Sequence, residues 1–206
     1  MGYYDAGFAV TGVDKTPQLS YPFPFIEADA MEVLADRAFL DQFDVVHASP
    51  PCQRYSMAAN AHGNADTHPD LVPPTREALR AWGGTYIIEN VEGAPMDHPL
   101  LICGWAMGLK HIKRHRLFES NLPLMSPGCL CPAGDTVSVF GHCGEDRRKA
   151  TKLATGGIRK HVPISEVRDL MGVPWIASRD AVSESIPPAY THYLGEQILE
   201  QIEAAA

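Results

Sequence analysis

At 206 residues, with 45% hydrophobic and 20% charged residues, the chain has the texture of one main globular domain with a small appended lobe. No apolar run reaches the roughly 18 residues of a membrane span. A net charge of −8 argues against phosphate contacts over the whole surface, and five cysteines, an odd number, argue against a disulfide scaffold. The amino terminus, MGYYDAGFAVTGVD, has no basic segment followed by an apolar one, so the cytoplasm is the expected compartment and the thiols are expected to be reduced.

In chain order, AVTGVD (9–14) reads as a short strand ending on Asp14, and FIEADA (25–30) as a second carrying Asp29. MEVLADRAFLDQ (31–42) repeats its apolar residues at helical steps. FDVVHAS (43–49) is a third strand, and it runs into Pro50, Pro51, Cys52 and Gln53. A helix, TREALRAWG (75–83), precedes a fourth strand, TYIIENV (85–91). Strand, helix, strand predicts a Rossmann-like α/β fold with a mostly parallel sheet, and ligands bind beyond the carboxyl ends of such strands. Asp14, Asp29, Pro50 to Gln53, and Glu89 to Val91 all belong at that edge.

From residue 119 to 161 the texture changes to Pro, Gly and Cys punctuation and predicts a small β-rich insert between segments 1–118 and 162–206 of the main domain. Residues 110–161 hold ten Lys and Arg against four acids, a local charge of +6 that leaves −14 for the rest, which suits one face meeting a polyanion. HVPISEVRDLMGVPW predicts a helix with Ser165 as its N-cap, and PPAYTHYLGEQILEQIEAAA a terminal helix.

DVVHASPPCQRYS poses the chemical question. A loop stiffened by two prolines presents a thiol in a fixed direction. Cys52 and Glu89 both follow buried-looking strands at the same sheet edge, which pairs a soft nucleophile with a carboxyl group kept neutral by burial. That pair suits conjugate addition to a pyrimidine. The thiolate attacks carbon 6, the acid protonates nitrogen 3, and carbon 5 becomes carbanion-like.

With SPPCQRYS, then IIENV, then RHRLF in that order, the chain resembles the DNA (cytosine-5) methyltransferases, which transfer a methyl group from S-adenosylmethionine to cytosine. The similarity covers nearly the whole chain apart from 119–161. It implies Cys52 as nucleophile, Glu89 at ring nitrogen 3, and Arg114 and Arg116 supporting the catalytic centre. It also implies Asp14, Asp29 and Pro50 against the cofactor. Gln53, Ser56, Asn90 and Val91 would lie around a flipped base, with Arg147, Arg148 and Lys149 gripping double-stranded DNA.

Two positions depart from the family pattern, Ile112 where it has Gln and Glu184 where it has Asn. The family's first strand and FCGAGG-type loop are also missing from these residues. The expectation is therefore a true start further upstream, weak cofactor binding by this chain alone, or a second chain supplying the motif. A different class remains open, an inactive DNA-binding remnant or a subunit of a split enzyme. Asp14 and Asp29 also read as plain helix-capping acids. Cys103 reads as core, and Cys129, Cys131, His142 and Cys143 lack the usual Cys-x2-Cys spacing, so no metal is assigned.

Overall fold

A computed structural model describes residues 1–55, 65–132, 136–137, 139, 151–152, 158–160 and 162–205. The chain is mixed α/β and divides into two compact units. One comprises Thr11–Leu101 and His115–Ser126; the other comprises Met1–Val10, Ile102–Arg114 and Pro127–Ala206.

In the first unit, β1 (Gly12–Asp14) and β2 (Phe25–Glu27) pair in parallel, with Asp14 opposite Glu27. β3 (Val45–Ala48) and β4 (Thr85–Asn90) form a second parallel pair, Val45 opposite Thr85 through Ala48 opposite Ile88. β6 (Arg116–Ser120) runs antiparallel beside β4, and β5 (Leu100–Ile102) follows at the edge, giving the order β3-β4-β6-β5. The described strands thus lie in separate sheets of parallel and mixed sense, where the sequence predicts one mostly parallel sheet.

The helix expected over 31–42 is two, α2 (Ala30–Ala35) and α3 (Arg37–Leu40). Asp36 makes the break: it ends α2, and its carboxylate accepts from the Phe39 amide to cap α3. α4 (Val72–Trp82) starts three residues earlier than the periodicity suggests, because Pro73 and Pro74 occupy a first turn where missing amide donors cost nothing. Leu34, Leu40, Leu79, Trp82, Tyr86 and Ile88 form the core against one sheet face, with the Trp82 indole donating to Asp41 at 2.8 Å. Each such aliphatic side chain contributes about 1.5–3 kcal/mol.

In the other unit, α1 (Gly2–Asp5) packs on α7 (Pro188–Ala205). The helices touch through small residues, and a Cβ on Gly195 would sit 2.8 Å from that of Ala6. α5 (Ile164–Met171) and α6 (Arg179–Glu184) enclose a second core of Ile112, Val139, Val167, Met171, Val173 and Val182. Ser165 does not cap α5. Pro163 holds that position and makes no side-chain cap bond, so Ser165 falls inside the first turn. β7 (Thr136–Val137), β8 (Thr151–Lys152) and β9 (Ile158–Lys160) make a small sheet in the order β7-β9-β8. Among the described residues, no helix is long and apolar enough to cross a membrane.

Candidate active site

The parallel register of β3 and β4 ends both strands at one edge of the first unit. Beyond Ala48 the chain passes through Ser49, Pro50 and Pro51 to Cys52, while β4 continues to Glu89 and Asn90. Asn90 ties the two together, its amide nitrogen donating to the Pro50 carbonyl at 2.9 Å and its amide oxygen accepting from the Val91 N–H at 2.9 Å. Asn90 is 1% exposed, so the bond to Pro50 fixes the thiol-bearing loop from inside. The Cys52 carbonyl accepts from the Tyr55 amide, opening a single 3-10 turn, Gln53–Tyr55.

That turn is anchored further along. The Arg54 guanidinium donates to the His68 carbonyl at 3.1 Å and faces Asp66 at 3.2 Å and Asp70 at 3.6 Å. The Tyr55 hydroxyl donates to Asp70; burial first, and then that bond, push it up to about 12. On the other side of the edge, Gly93 lets the chain turn after β4, at φ 110°, where a Cβ would lie 3.4 Å from the Tyr55 carbonyl.

Glu89 stands opposite Phe118 across β4 and β6, which places Arg116 diagonally from it on the same sheet face. Arg116 Nε reaches Glu89 Oε1 at 2.9 Å, with both side chains 9% exposed. A second guanidinium nitrogen donates to the His115 carbonyl at 3.0 Å. Burial alone would keep the carboxyl neutral, the state the sequence reading expects. A guanidinium at hydrogen-bond distance acts the other way and favours the carboxylate. On the same face, burial pushes His47 down to about 4, and its ring meets the Phe118 ring edge-on at 6.2 Å.

Arg114, expected beside Arg116, has a different setting. In the second unit its guanidinium donates to the Ser183 carbonyl at 2.7 Å and to that of Ser185, while the Tyr190 hydroxyl donates to the Arg114 carbonyl at 2.6 Å. Those bonds give it a structural task, tying its segment to the end of α6 through the guanidinium and to α7 through Tyr190. Of the two departures from the family pattern, Ile112 is fully buried in the core and Glu184 is exposed at the end of α6.

Asp14 and Asp29 end or follow parallel strands, yet each spends one oxygen locally: Asp14 accepts from the Thr16 amide at 2.7 Å, and Asp29 caps α2 through the Met31 amide at 2.8 Å. Pro50 gives its carbonyl to Asn90, and Gln53 is exposed. Ser56, Arg147, Arg148 and Lys149 lie outside the described residues.

Two groups escaped the sequence reading. Glu119, 2% exposed, accepts from Arg76 through both oxygens at 2.7 Å and from the Asp97 amide at 2.8 Å, and Arg80 stands 3.7 Å away. Its partners are 22 and 43 positions distant, so nothing local announces the cluster. The other is in the second unit, where Cys103, read as core, meets Cys131 with sulfurs 3.2 Å apart. Burial alone would raise the Cys103 thiol, but the Ala106 amide, the Cys131 thiol and the Leu130 and Trp105 amides bring it down to about 6. Burial and the neighbouring sulfurs of Cys103 and Cys129 push Cys131 upward, so the pair holds its proton there.

Compared with models of known protein families, the chain matches none, and no curated protein matches it.

Proposed function

We propose that the chain is the catalytic domain of a DNA (cytosine-5) methyltransferase that attacks a flipped cytosine through Cys52. The observation that carries this reading is the buried Glu89–Arg116 pair on the strand next to the one that delivers Cys52, with Asn90 joining the two through Pro50. An ion pair so enclosed is poor value as a stabiliser, since apolar residues of the same volume do as well. Its retention at a strand end beside a presented thiol fits chemistry better.

In this reading the Cys52 thiolate forms a bond to carbon 6 while a proton carried by the Glu89 carboxyl passes to nitrogen 3. Arg116 stabilises the carboxylate left behind, which makes Glu89 a stronger acid at the moment of addition. Electron density then collects at carbon 5. S-adenosylmethionine, when bound, supplies the electrophilic methyl group. Asp14 and Asp29 suit its adenosine end, because each commits one carboxylate oxygen to its own turn and has a second with which to accept from a hydroxyl or an amine. Loss of the carbon 5 proton, expulsion of the thiolate and return of the nitrogen 3 proton to Glu89 complete the cycle.

The test needs no cofactor. Addition at carbon 6 makes carbon 5 basic, so double-stranded DNA containing cytosine tritiated at carbon 5 should release tritium to water. Cys52→Ser should abolish the release, because a hydroxyl is scarcely ionised at neutral pH. Glu89→Gln should slow it at least a hundredfold, the usual contribution of a positioned acid. DNA binding without any release by the unaltered chain would favour the inactive DNA-binding remnant instead.

A further inference from the structure

We propose that Cys103, Cys129 and Cys131 bind one zinc ion, a site independent of the methyltransferase reading. The three sulfurs lie within 4.8 Å of one another, in a unit whose chain brings them together from segments 26 positions apart. The backbone explains the convergence. Ile102 forms a parallel bridge with Gly128, which sets Cys103 alongside Cys129, and the Cys-x-Cys spacing returns Cys131 to the same side.

The geometry is that of a metal knuckle. After Cys103 the chain turns tightly, with the Met107 amide donating to the Cys103 carbonyl at 3.1 Å and the Leu109 amide to the Gly104 carbonyl at 2.8 Å. The turn aims the amides of Trp105 and Ala106 at the Cys103 sulfur, and Leu130 adds a third. N–H donors around a sulfur are the outer contacts that orient a metal-binding cysteine. Tetrahedral zinc with bonds near 2.3 Å needs sulfurs about 3.8 Å apart, between the 3.2 Å of Cys103 and Cys131 and the 4.8 Å outer limit of the cluster. At 3.2 Å, Cys103 and Cys131 are too far apart for a disulfide, which needs roughly 2.05 Å.

Water or a further donor would complete the tetrahedron.

The experiment measures metal directly in the full chain, purified with reductant. Mass spectrometry of the metal content should find one zinc per chain. Cobalt exchanged into the site should give thiolate-to-metal charge-transfer absorption in the near ultraviolet together with the visible bands of tetrahedral coordination. Cys129→Ser with Cys131→Ser, both on an exposed segment, should reduce zinc to background and remove the absorption. Cys52→Ser should leave both unchanged. Zinc at full content in the double variant would overturn the site, as would failure of the reduced, folded chain to take up zinc or cobalt at micromolar concentration. A Cys103–Cys131 disulfide that persists in reductant would overturn it as well. Tritium release from DNA does not enter these readouts, so the two readings fail separately.

Discussion

If Glu89 and Arg116 are kept for chemistry, a double-mutant cycle should separate their cost from their use. Glu89→Leu leaves the Arg116 guanidinium, 9% exposed, without its carboxylate, and Arg116→Met leaves a buried carboxylate facing a thioether. Breaking a buried pair from one side costs about 3–5 kcal/mol. The enclosure here is near complete but not total, so the expected loss is about 3 kcal/mol for each single variant. In a chain of 206 residues that lowers the melting temperature by roughly 6–12 °C. The double variant removes both charges and leaves two apolar side chains of similar bulk, and it should return to within about 1 kcal/mol of the unaltered chain. The coupling is then at least about 5 kcal/mol. Urea unfolding followed by tryptophan fluorescence measures the stabilities, and tritium release from carbon 5 measures the chemistry. The expected double variant is as stable as the parent and inactive. Single losses below about 1 kcal/mol that simply add would refute the buried-pair argument, and tritium release by a stable double variant would remove Glu89 from the mechanism.

Glu119→Ala should cost about 3–5 kcal/mol in the same unfolding assay, because it strands Arg76, the bidentate partner of a carboxylate that is 2% exposed; a loss under 1 kcal/mol would mean that water replaces the carboxylate. The stability should depend on pH through His47. Its imidazole titrates near 6.5 when unfolded and about 4 when folded, so the unfolded chain binds the extra proton between those values. Stability should therefore fall as pH drops from about 6.5 to about 4, by an amount on the order of 3 kcal/mol. His47→Leu should flatten that slope, and an unchanged slope would assign it to other groups. Replacing Arg147, Arg148 and Lys149 together with Ala should weaken DNA binding and shallow its dependence on salt by up to three contacts, each on the order of 0.9 in logarithmic slope. An unchanged slope would make the charged stretch a solvated one.

Local pattern was enough to locate all four leading strands, since β1 to β4 fall inside the apolar runs at 9–14, 25–30, 43–49 and 85–91. It also found the loop that carries Cys52, because two prolines after a strand limit the backbone whatever packs around them. It did not see the break at Asp36, where a side chain competes for the amides of a helix that the apolar spacing would continue. Nor did it see what Arg114 and Arg116 do differently. They are two residues apart in one short motif, yet Arg116 meets Glu89 through the antiparallel register of β4 and β6, while Arg114 holds the carbonyls of Ser183 and Ser185. The same limit hid the Arg76–Glu119 pair and the closeness of Cys131 to Cys103, which is buried as its apolar context predicts. Periodicity and punctuation act over a few residues and survive in the sequence. Which charge meets which, and which thiol meets a second thiol, depends on strand register between segments tens of residues apart, and only the folded chain sets it.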